Sequence, residues 1–97
     1  MTALLPIVEL LADCQSDAER ADWLLRVPQG VIYRDVCTIR RILQEARFSL
    51  GVEALEGEFA AINATRLPDG RLPRTVVLGL DASRSFLRDV ARKGGAR

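Results

Sequence analysis

Apolar residues recur three and four positions apart along most of this chain, the spacing of a helix face rather than of a strand. The longest stripe is Ile32, Val36, Ile39, Leu43 and Ala46, with Arg34, Arg40, Arg41 and Gln44 mostly off it. It predicts the clearest helix, because burial of such a stripe outweighs the modest propensity cost of its β-branched members. A first helix is predicted from Leu4, Ile7, Val8, Leu11 and Cys14, starting near Ala3 or Leu5 so that Pro6 falls in the first turn. Ser16 and Glu19 have capping-box spacing and predict a second helix over about 17–27. Ala21, Leu24 and Leu25 point inward there, Trp23 lies nearby, and Pro28, Gln29 and Gly30 form the stop.

Ser49 reads as the N-cap of a fourth helix over about 50–65, with Val52, Leu55, Phe59 and Ile62 inward and Glu53, Glu56 and Glu58 mostly outward. Leu67, Pro68, Asp69, Gly70 and Arg71 spell a turn, with Gly70 at the positive-φ position. Residues 75–80 suit either a short strand, forming a hairpin within 65–80, or the opening of a helix that begins at Pro73. A last helix over about 82–93 is expected, capped by Asp81, with Phe86, Leu87 and Val90 inward and Gly94 as its stop. The pattern therefore predicts one all-α domain over 1–93, a compact bundle of four to five short helices with the hairpin as an option. A disordered tail is expected over 94–97.

The chain has 97 residues, 48% hydrophobic and 28% charged, which suits a single soluble domain with one modest core. The longest uncharged apolar stretches, 3–8 and 75–80, fall far short of the roughly 20 residues of a membrane-spanning helix. No basic segment precedes the first apolar run, so a secretory leader is not expected and a cytoplasmic location is. Cys14 and Cys37 have no metal or CxxC spacing and read as two buried free thiols.

Candidate chemistry is sparse. There is no histidine, which removes the usual general base and the commonest metal ligand. No phosphate-binding glycine loop or calcium-loop spacing occurs, and the only lysine is Lys93. The expectation is therefore a non-enzyme with no cofactor and no metal site. Residues 42–52 resemble the helix-turn-helix core of bacterial repressors, where an alanine, a tight turn, a serine cap and a reading helix follow in that order. Here Arg47 stands where that pattern has its turn glycine. The helix in the reading position carries Glu53, Glu56 and Glu58 with no base before Arg66, and DNA phosphates would repel those acids.

Charge is unevenly spread. Residues 1–30 hold five acids and two arginines, net −3, whereas residues 71–97 hold seven bases and two acids, net +5. Two binding surfaces follow. Trp23, Arg26, Tyr33 and Arg34 flank the turn at Pro28 and have the composition of a protein-binding hot spot. Arg84, Arg88 and Arg92, at i, i+4 and i+8, form a stripe able to contact phosphates. The sequence thus favours a small non-catalytic module that binds another protein or itself, of the kind that serves as a bacterial-type regulator or inhibitor. The alternative is an accessory nucleic-acid binder that uses the arginine stripe.

Overall fold

A computed structural model describes residues 6–95. They form five helices: α1 (Pro6–Ala12), α2 (Asp17–Arg26), α3 (Gln29–Glu45), α4 (Ser49–Ile62) and α5 (Arg74–Gly95). The all-α expectation holds, and no strand occurs among the described residues. The 67–71 turn is present all the same. The Gly70 amide donates to the Leu67 carbonyl at 2.8 Å, the Leu67 amide donates to the Arg71 carbonyl at 2.8 Å, and Gly70 takes φ +85°. A turn of hairpin type is formed, but residues 75–80 continue into α5 instead of pairing with the preceding chain.

The cap at Ser16 is partly as expected. Its Oγ accepts from the Glu19 amide at 3.2 Å, while Glu19 Oε1 accepts from the amide of Gln15, not of Ser16, at 2.6 Å. Between α2 and α3 the chain does not stop at Gln29 and Gly30. Pro28 is the N-cap of α3, and both following residues lie in its first turn. α3 bends at Asp35, whose φ −112° and ψ 22° are not helical. Past the bend, Val36, Ile39 and Leu43 line the core with Ile32 from the other side of it.

Ser49 is not the cap of α4. It is the exposed first helical residue, and Phe48 holds the N-cap position with no side-chain bond. The reason lies in how α3 ends. The Phe48 amide donates to the Leu43 carbonyl and the Arg47 amide to the Gln44 carbonyl, both at 3.0 Å, and Arg47 adopts φ 58°. This is a Schellman motif with an arginine in the left-handed position that glycine usually takes. The tight turn of the helix-turn-helix pattern is thus made without its glycine. Phe48 ends one helix and begins the next, and its ring is buried against Gly51.

α4 is the central helix, packing on α2, α3 and α5. That placement explains why its apolar residues spread around the helix, with Gly51, Ala54, Leu55 and Ala61 buried and Leu50, Val52, Phe59 and Ile62 partly so. α5 lies along α2 and α4. It starts seven positions before the expected cap, so Asp81 is an exposed residue inside the helix. Its buried line is Leu80 and Leu87 with Ala91 partly covered, and this phase turns Phe86 outward, where it is 57% exposed. The expected inward position of Phe86 is therefore corrected: successive helical residues differ by about 100°, and Leu87 takes the core. Gly94 and Gly95 belong to α5, so Gly94 does not stop it, and the rest of the expected 94–97 tail lies outside the described residues. The resulting molecule is a slab of 42 × 38 × 18 Å.

Candidate binding surfaces

The acids of α4 are taken up by neighbouring arginines. Arg40 of α3 donates from Nε and Nη2 to the two carboxylate oxygens of Glu56 at 2.6 and 2.9 Å. The bonds from Arg40 hold the Glu56 carboxyl below the ordinary glutamate range, and the same bonds raise the Arg40 guanidinium. Arg84 of α5 makes the same two-pronged contact with Glu58, at 2.8 and 3.0 Å. Its pKa is raised chiefly by those bonds, against the opposing effect of partial burial. These two pairs pin α3 and α5 to the central helix. They also occupy two acids of the would-be reading helix.

The arginine stripe is correspondingly thinned. Arg84 turns toward Glu58, Arg92 pairs with Asp89 one turn earlier, and Arg88 is exposed with no carboxylate in range among the described residues. The three side chains fan around α5, since positions four apart are rotated by about 40° on an ideal helix.

The residues read as a protein-binding hot spot fall into two neighbourhoods. Trp23 is only 9% exposed, and its indole Nε1 donates to the Ile7 carbonyl at 2.7 Å, tying α1 to α2. It lines a groove of about 470 Å³ with Ile7, Leu10, Cys14, Arg26 and Val27. Arg26 is exposed and paired with Asp22 at 3.5 Å. Tyr33 stacks on Phe59 of α4, ring centres 6.3 Å apart, and Arg34 lies 3.4 Å from Asp35.

The cysteines are free, as expected, but not both buried: Cys14 is half-buried and Cys37 exposed. Desolvation, then Glu19, raises the Cys14 thiol pKa, which leaves it a poor nucleophile at neutral pH. Among the described residues, no three His, Cys, Asp or Glu side chains gather to hold a metal ion. None of the described helices is long and apolar enough to cross a membrane.

The sequence reading missed the outward face of α5. Leu78 and Phe86, 55% and 57% exposed, lie one turn either side of exposed Ala82, with Gly79 and Ser85 between them. Nothing lies within 4 Å of where a Cβ on Gly79 would stand. Had the helix been traced from Pro73 rather than from Asp81, the Leu80 and Leu87 phase would have placed Leu78 and Phe86 together on the opposite side. Comparison with protein-family models, with curated proteins and with solved structures returned no match to this chain.

Proposed function

We propose that this chain is a non-catalytic protein-binding module, a regulator or inhibitor that acts by docking the outward face of α5. The observation that carries the reading is the pair Leu78 and Phe86, large apolar side chains more than half exposed on the side of α5 away from Leu80 and Leu87. Scattered single apolar residues are ordinary on a protein surface, whereas an aligned set on one element is the form of an interface. Exposed Arg74, one turn before Leu78, supplies part of the polar rim such interfaces carry. Nucleic-acid binding through Arg84, Arg88 and Arg92 is less favoured, because Glu58 and Asp89 already hold two of the three.

The test is affinity capture from native lysate with the wild-type chain and with the double variant Leu78→Ala, Phe86→Ala, each with and without nuclease. A protein retained by the wild type after nuclease and lost with the variant is the expected result. Material that disappears on nuclease treatment but ignores the variant would overturn the reading in favour of the arginine stripe.

A further inference from the structure

We infer that the groove between α1 and α2 is a binding site for a small lipophilic organic cation, an amine or quaternary ammonium with an apolar tail. The site shares no residue with the α5 face, so either can fail without the other.

Two rows of side chains build the groove. Ile7, Leu10 and Cys14 lie at i, i+3 and i+7 along α1 and the turn after it, and Glu19, Asp22, Trp23 and Arg26 lie at i, i+3, i+4 and i+7 along α2, with Val27 beside them. The Trp23 indole is fixed by its 2.7 Å bond to the Ile7 carbonyl and cannot swing in to fill the space between the rows. About 470 Å³ is left open, within the roughly 300–1,000 Å³ of small-molecule sites. The lining is mostly apolar: Trp23 is buried, Ile7, Cys14 and Val27 are half-buried, and Leu10 is 63% exposed. α1 has 7 residues, about 10 Å at 1.5 Å per residue, so the groove has the length for one small molecule rather than for the extended anchor row of a docked helix.

The charge around this apolar space is negative. Residues 6–27 hold Glu9, Asp13, Asp17, Glu19 and Asp22 against Arg20 and Arg26, net −3. Both arginines are engaged: Arg20 donates to Asp17 at 2.8 Å and to the Cys14 carbonyl at 3.1 Å, and Arg26 stands 3.5 Å from Asp22. The Asp22–Arg26 pair is exposed on both sides, a contact weak enough for an entering cation to displace. Glu9, Asp13 and Glu19 have no arginine or lysine within 4 Å among the described residues. The field reaches into the groove: beyond the effect of burial, the Cys14 thiol is raised by Glu19, Asp13 and Asp22 and lowered by Arg20 alone. A cation is favoured there and an anion is not.

The two features together select the ligand. Ile7, Leu10 and Val27 take an alkyl or aryl body, while exposed Glu19 and Asp22, one helical turn apart on the same wall, take the ammonium. Trp23 adds an aromatic wall, the surface that quaternary ammonium groups favour. An anionic amphiphile of the same length would meet the same apolar walls and the opposite charge, so discrimination between the two is the signature of the site.

The test titrates the full chain with decyltrimethylammonium, and with decanesulfonate as the charge-reversed control, both below micelle formation. Trp23 is the only tryptophan of the chain, so its fluorescence reports the groove directly. The ammonium should give a saturable change, with an affinity roughly tenfold or more above that of the sulfonate. Bound ammonium should slow alkylation of Cys14 several-fold and leave that of exposed Cys37 unchanged. Leu10→Lys, made at an exposed position and still helical by circular dichroism, should abolish ammonium binding, and Glu19→Gln with Asp22→Asn should erase the preference for the cation. Equal affinity for the two amphiphiles overturns the inference, as do a Trp23 signal that never saturates and a Cys14 that is alkylated at the same rate with ammonium bound. Binding untouched by Leu10→Lys lies elsewhere on the molecule and overturns it too. If the groove takes the ammonium only after residues 1–5 are removed, that segment is its occupant and the inference fails.

Discussion

Gly51 and Gly57 lie six positions apart on the same helix, yet replacing each by alanine should shift stability in opposite directions. Alanine is favoured over glycine inside a helix by about 1 kcal/mol, so helix propensity alone predicts a gain at both sites. A Cβ at Gly57 would meet only Ser83 Oγ, at 3.8 Å, an ordinary contact. A Cβ at Gly51 would stand 2.5 and 2.8 Å from two ring carbons of Phe48 and 3.2 Å from Leu24 Cδ1. Carbon atoms settle at about 3.5–4.0 Å, so the ring would have to retreat by roughly 1 Å. It has little room to do so: Phe48 is 4% exposed, and its backbone is fixed by the end of α3 and the start of α4 together.

Overpacking of this kind costs about 1–3 kcal/mol, which offsets the propensity gain of about 1 kcal/mol and leaves a net loss of up to about 2 kcal/mol. For a domain of this size each 1 kcal/mol moves the Tm by about 4–8 °C. Gly51→Ala should therefore lower the Tm, by up to about 15 °C, and Gly57→Ala should raise it by a few degrees. Thermal and urea unfolding followed by far-UV circular dichroism read both. The reasoning fails if Gly51→Ala is as stable as the wild type or more so. Adding Phe48→Leu to Gly51→Ala should recover part of the loss, since the ring is the obstacle.

Two further substitutions probe the ends of the helices. Arg47→Gly should stabilise the fold by up to about 1 kcal/mol, because the left-handed backbone at φ 58° costs an L side chain about 1–2 kcal/mol that glycine avoids, less the entropy glycine loses on folding; an equal loss in urea unfolding would show that the turn is not strained. Trp23→Phe removes the 2.7 Å bond to the Ile7 carbonyl while keeping an aromatic ring, and should cost about 1–2 kcal/mol. The loss should be local to α1, seen as faster hydrogen exchange in α1 and faster alkylation of half-buried Cys14, with α3 and α4 unchanged; uniform acceleration across all helices would contradict that assignment.

Much of the fold is legible in the sequence where local chemistry and long-range packing agree. The 3-4 stripe of α3 is such a case, since Ile32, Val36, Ile39 and Leu43 are all buried. So is the 67–71 turn, where Gly70 takes the positive φ its position requires. The misreadings arise where one residue type serves two local structures. Asp81 and Ser49 are good caps by composition, but α5 runs straight through Asp81 because Leu80 and Leu87 reach the core together, and Phe48 displaces Ser49 because the Schellman closure of α3 fixes its backbone first.

The candidate surface was the least legible part. Trp23 and Arg84 have hot-spot and phosphate-binding chemistry, and both are consumed by contacts within the chain, to Ile7 and Glu58. Which arginines and aromatics stay free depends on partners distant in sequence. Phe86 passed as a core residue for the converse reason, since an apolar residue declares a preference for burial but not what will bury it, and Leu78 lay in a segment read as either strand or helix.

The packing of α5 on α2 also bears on the order in which the chain can assemble. The α3–α4 corner joins sequence neighbours through a three-residue turn, so closing it costs little loop entropy. The α2–α5 contact instead ties together helices with α3 and α4 between them in sequence, and it can form only after α5 has been made. During synthesis, the apolar sides of α2 and α4 that Leu80 and Leu87 will cover have no partner within the molecule until α5 has been made. The growing chain is thus exposed to unwanted association over the interval between completion of α4 and completion of α5.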